Sequence, residues 1–94
     1  MSNKPLLLIV DDDPLISDSL SHAFAAEFDI VTSHARPHCL ALLRQLRQTP
    51  QVALVDLGLP PQPHRPDEGF ALIGELLAHA PEMKIIVLSG QNGD

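Results

Sequence analysis

The chain has no Trp, no Tyr and only three Phe among 94 residues. A core without aromatics must be built from Leu, Ile, Val and Ala, which suits buried parallel strands covered by Leu- and Ala-rich helices. Cysteine is nearly absent as well. Cys39 stands alone, so no internal disulfide forms, in keeping with a reducing compartment. Basic residues are scarce, with six Lys and Arg against twelve Asp and Glu and a formal charge of −6. That balance argues against a nucleic-acid surface and against an anionic membrane as partner. The longest run of large apolar residues, at 6–10, is cut off at once by three aspartates. A secretory signal or a membrane span needs a longer run, of about 20 residues for a span. A cytoplasmic location is expected.

What is present alternates. Leu-Leu-Leu-Ile-Val at 6–10 is a continuous apolar run of strand length, as in a strand buried on both faces. Asp13-Pro14 is an N-cap followed by proline at the first helical position. Ile16, Leu20, Ala23 and Phe24 then recur at helical spacing, predicting a helix to about residue 28. Residues 29–33 (Asp-Ile-Val-Thr-Ser) form a weaker strand suited to an edge. A second helix is predicted from about Pro37, with Leu40, Leu43 and Leu46 as its apolar stripe, stopped by Thr49-Pro50. A third strand covers 52–57. A long break at 58–67 with four prolines (Pro60, Pro61, Pro63 and Pro66) follows it. The third helix, 68–79, is expected to turn Phe70, Ile73, Leu76 and Leu77 inward, and the last strand occupies 84–89. Strands alternating with helices give a parallel α/β sheet with right-handed crossovers in one domain, 1–94.

In such sheets function sits at the carboxyl ends of the strands. Asp11 and Asp12 follow the first strand, Asp56 ends the third and Ser89 ends the fourth. If the first and third strands are neighbours, three carboxylates converge, and like charges so placed demand a counter-ion. Mg²⁺, a hard cation that prefers oxygen, resolves the conflict. A carboxylate beside such an ion is a nucleophile for phosphorus, and Ser89 is placed to donate a hydrogen bond to the phosphoryl group. Singly, each acid has an ordinary reading as a cap or loop residue, and Asp13 is assigned to capping. Their joint occurrence on three strand ends is the specific signal.

The motifs themselves resemble a known family, the receiver domains of two-component response regulators. Leu-Ile-Val-Asp-Asp-Asp-Pro at 8–14 is similar to its acidic-pair motif, and Val-Asp-Leu-Gly-Leu-Pro at 55–60 to the segment around its phosphorylated aspartate. Glu68-Gly69-Phe70 resembles the turn into the third helix, and Ile-Ile-Val-Leu-Ser-Gly at 85–90 the strand with the switch hydroxyl. The resemblance implies a flavodoxin-like, doubly wound fold of strand order 2-1-3-4. It implies Asp56 as phosphoacceptor and Ser89 as switch hydroxyl. Mg²⁺ would be held directly by Asp12 and Asp56, through water by Asp11, and by the backbone carbonyl of Gly58. The implied partners are a sensor histidine kinase, an output domain and, for some members, a second copy in a homodimer. A signalling domain rather than an enzyme is implied.

The chain departs from that pattern in two places. The break after the third strand is longer than usual and proline-rich, a form similar to receivers fused to sigma-54-dependent transcription activators. The family's lysine, its aromatic switch residue, the fifth strand and the last helices would lie beyond Asp94, so 1–94 is expected to be a C-terminally incomplete domain. Lys84, at the start of a strand, is at the wrong end of the sheet to replace that lysine. A rival reading is an interaction module that is never phosphorylated. A phosphohydrolase would want an acid two residues after the nucleophile, where Gly58 stands. The five histidines have ordinary surface readings. His34 and His38 have helical spacing but no evident third ligand.

Overall fold

A computed structural model describes residues 4–61 and 65–88. Seven elements alternate along it: β1 (Leu6–Val10), α1 (Pro14–Phe24), β2 (Asp29–Ser33), α2 (Arg36–Gln45), β3 (Val52–Asp56), α3 (Asp67–His79) and β4 (Lys84–Leu88). All strand pairs are parallel, and the order is β2-β1-β3-β4. The expected doubly wound sheet is therefore present, with β1 at the point where the strand order reverses.

Alternation along the strands divides the core between two faces. Leu8, Val10, Ala53 and Val55 point to the side covered by α2 and α3, where Cys39, Leu43, Leu59, Leu72, Leu76 and Met83 close over them. Leu7, Ile9 and Leu54 point to the other side, against Leu20, Phe24 and Phe28. Every residue of β1 is buried, which is why its sequence is apolar without interruption. β2, the edge strand, buries only Ser33.

Helix boundaries follow local chemistry. Asp13 caps α1, its carboxylate accepting from the Leu15 N–H at 3.0 Å, with Pro14 in the first turn. α1 ends at Phe24 rather than near 28, and residues 25–27 form a turn. Phe28 still reaches the core, edge-on to Phe24 with ring centroids 6.1 Å apart. The apolar phase of two helices differs from expectation. In α1 Leu20 and Phe24 pack inward, whereas Ile16 is 43% exposed and no residue of the helix is fully buried. In α3 the buried residues are Gly69, Leu72 and Leu76, while Phe70 and Leu77, expected inward, are 58% and 41% exposed.

The cause in α3 is a single close approach. The Gly69 N–H donates to the Leu57 carbonyl at 3.2 Å, and a Cβ on Gly69 would lie 2.8 Å from that oxygen and closer still to Leu57 Cα. Only glycine permits this contact. It sets the rotation of α3, so the stripe starting at residue 69 faces the sheet and the one starting at Phe70 does not.

Candidate acidic site at the strand ends

Register brings the acids together. Val10 of β1 pairs with Val55 of β3, so the next residues along each strand, Asp11 and Asp56, emerge side by side. The Asp11 N–H extends the ladder on the other side, donating to the Ser33 carbonyl at 3.0 Å. Carboxylate oxygens of Asp11, Asp12 and Asp56 all lie within 4.8 Å of one another. Among the described residues this is the group of acids, histidines and cysteines that converges tightly enough to hold an ion.

The three acids are not equivalent. Asp11 is 7% exposed, and its Oδ1 accepts from the Asp13 N–H at 2.9 Å. Asp56 is half-buried, and its Oδ1 accepts from the Gly58 N–H at 3.0 Å. Asp12 is exposed at the mouth. Burial pushes the Asp11 carboxyl above its ordinary range. The Asp13 N–H opposes that shift, and the charges of Asp56, Asp12 and Asp13 add to it. Asp56 is raised too, first by burial and then by the Asp12 charge and hydrogen bond, against the opposing bonds from the Gly58 N–H and from Asp11. Each backbone donor stabilises a charged carboxylate, while burial and repulsion disfavour it. The all-oxygen donor set and its uncompensated charge fit a hard divalent cation.

Gly58 lies two residues past Asp56 and binds it through its N–H. Ser89 lies outside the described residues, one position beyond Leu88, which pairs with Asp56 across β3 and β4. Arg36 belongs to none of the motifs read from the sequence, yet the structure gives it two acidic partners. Its guanidinium forks between Glu68 (Nε to Oε1, 2.9 Å; Nη2 to Oε2, 3.3 Å) and Glu75 (Nη1 to Oε2, 3.1 Å). Arginine and acids 32 and 39 residues apart carry no local signal that they will meet.

The remaining candidates stay apart from the cluster. His34 and His38 stack with centroids 4.7 Å apart, and His38 Nδ1 lies 2.7 Å from Ser33 Oγ, so that ring has a hydrogen-bonding role at the end of β2. Burial pushes the Cys39 thiol up to about 11. That is the chemistry of a core residue, not of a nucleophile. No helix among the described residues is long and apolar enough to cross a membrane.

Comparison with known proteins agrees with this fold. The family profile described as "Response regulator receiver domain" matches residues 7–94. Among curated proteins, the transcriptional regulatory protein AruR of Pseudomonas aeruginosa is 31% identical over 98 aligned residues, a match that takes in 100% of this chain and 38% of AruR. The chain thus spans well under half of that relative. Among solved structures, a CheY-like response regulator receiver domain protein from Methanospirillum hungatei superposes with a TM-score of 0.80 at 27% identity, over 97% of this chain and 68% of that one. A response regulator from Burkholderia pseudomallei, solved with a phosphorylated aspartic acid, calcium ion and citrate, superposes with a TM-score of 0.78 at 24% identity, over 94% and 48% of the two chains. The latter likeness carries the fold.

Proposed function

The chain belongs to the response regulator receiver domain family, and on that premise we propose that Asp56 accepts a phosphoryl group from a phosphohistidine of a sensor histidine kinase. The observation that carries this reading is the meeting of Asp11, Asp12 and Asp56 at the carboxyl ends of β1 and β3, with their oxygens within 4.8 Å. An Asp56 carboxylate oxygen forms the new bond to phosphorus as the bond from phosphorus to the histidine nitrogen breaks. The nitrogen leaves with the electron pair. The Gly58 N–H, already on Oδ1, holds the carboxylate so that its other oxygen is free for attack.

The acids fit Mg²⁺, which we assign to Asp12 and Asp56 directly, to Asp11 through water and to the Gly58 carbonyl. When bound it supplies the positive charge that offsets the phosphoryl oxygens. Asp11, the most buried of the three, keeps the pocket acidic and orders Asp12 by accepting from the Asp13 N–H that follows it. Ser89 is assigned as the hydroxyl that turns toward the phosphoryl group. The new charge then biases a two-state equilibrium that an output domain reads. The name of the AruR relative supports a transcriptional output, and the proline-rich stretch after β3 supports one of the sigma-54-dependent kind. A cytoplasmic signalling protein, in some states a homodimer, accords with these roles.

The test is labelling of the full-length protein with acetyl phosphate and Mg²⁺. Wild type is expected to gain one phosphoryl group and Asp56→Asn none. Equal labelling of the two, or no labelling of wild type, would overturn the assignment.

A further inference from the structure

Arg36 occupies an unfavourable place in its own helix. It is the first residue of α2, where the helix dipole disfavours a cation. The cap residue, Ala35, makes no side-chain bond that would offset this. Its partners explain the position. Glu68 and Glu75 lie on α3, and Glu68 is in the first turn, where an acid suits the dipole. The Arg36 pairs join separate elements, whereas Arg65–Asp67 is local and mostly exposed.

The two acids do different things. Glu75 is seven residues down α3, and bonding to it docks α3 on α2. Glu68 immediately precedes Gly69, whose N–H donates to the Leu57 carbonyl. Leu57 follows Asp56, and the next N–H, that of Gly58, holds Asp56 Oδ1. A continuous path of short contacts therefore runs from Arg36 through Glu68, Gly69 and Leu57 to the acceptor carboxylate. The Gly69 hydrogen bond ties the start of α3 to Leu57, and the ion pair ties it to α2.

We propose that Arg36 is a positioning residue for the acidic site: by gripping Glu68 it presses Gly69 onto Leu57 and so sets the backbone that orients Asp56. The metal arm of its test rests on the reading given above, and the amide arm does not.

The experiment compares wild type with Arg36→Gln, Glu68→Gln, Glu75→Gln and Arg36→Lys in the full-length protein. Amide hydrogen exchange at Gly58 and Gly69 is taken relative to the Ile9 amide in β1, which removes any change in global stability. Mg²⁺ affinity is measured by titration with the metal alone. Arg36→Gln and Glu68→Gln are expected to speed relative exchange at both glycines by about fivefold, the loss of one good forked pair. Glu75→Gln should stay within about twofold, and Arg36→Lys, which lacks the fork, should fall between. Mg²⁺ binding supplies a test of sign. Removing a cation near an acidic pocket strengthens Mg²⁺ binding through the field alone, whereas loss of positioning weakens it. Weaker binding by Arg36→Gln is expected. Wild-type exchange at both glycines in Arg36→Gln, or Mg²⁺ affinity equal to or above wild type, would overturn the proposal. If wild type itself bound no Mg²⁺, the functional reading would fall, and exchange at the two amides would still decide the role of Arg36.

Discussion

At Asp11 and Asp56, burial and repulsion from neighbouring carboxylates act in the same direction, and both hold protons more tightly in the folded chain than the ordinary value of 3.8. A carboxyl raised on folding contributes stability that is fully present below its unfolded pKa. That contribution is lost as pH rises through the folded value. The metal-free protein should therefore carry a penalty from these groups that grows upward from about pH 4. Asp56→Asn removes one such group, so its Tm relative to wild type, measured with chelator, is expected to increase as pH rises from about 4 to 7. A constant difference across that range would show that Asp56 is not strained by folding. Gly69 offers a second test at this scale. A methyl there meets backbone, which cannot rotate away, so Gly69→Ala should cost about 2–3 kcal/mol in urea unfolding. Asp13→Ala, which removes the α1 cap, should cost about 1 kcal/mol.

Helix α3 illustrates how an element is oriented. Its sequence holds two apolar stripes of helical period, one running through Leu72 and Leu76 and one through Phe70 and Leu77. Periodicity distinguishes a helix from a strand, but it does not say which of two overlapping stripes is inside. The Gly69 contact with Leu57 settles the rotation, and Leu72 and Leu76 become fully buried. Leu76→Ala is expected to destabilise the fold by about 2–5 kcal/mol, and Phe70→Ala by no more than about 0.5 kcal/mol. Comparable urea midpoints for the two variants would contradict this orientation. α2 contributes in another way. Cys39 and Leu43 fill the core beneath it, and Arg36 ties its first residue to α3.

For the molecule as a whole, strand order matters more than any one element. Placing β1 between β2 and β3 carries α1 to one face and α2 and α3 to the other. The same order puts the ends of β1 and β3 next to each other, so a fold stabilised by aliphatic packing also concentrates negative charge at one rim. A ligand that binds only the folded state stabilises it by mass action. At about a hundredfold excess over Kd, Mg²⁺ should add about 2.7 kcal/mol. Calorimetry with and without chelator would show this as a higher Tm, and Asp12→Asn should abolish most of the gain. An equal Mg²⁺ effect in Asp12→Asn would place the ion elsewhere.

The amino-acid sequence by itself determined the order of elements and the strand ends that carry acids. The uninterrupted apolar run of β1, the Asp13-Pro14 cap and the proline stops are local signals, and local sterics and burial act on them wherever the chain goes. The acids at 11, 12 and 56 were legible for the same reason, since each directly follows or ends an apolar strand. Tertiary structure alone decided that the acids meet, because their meeting depends on β1 and β3 being neighbours in register. It also decided which stripe of α3 faces inward and that Arg36 is a tie between helices. Those outcomes rest on contacts between residues far apart in the chain, such as Gly69 on Leu57 and Arg36 on Glu68. No periodicity or spacing records such contacts, because their energy exists only once the sheet has brought the two segments together.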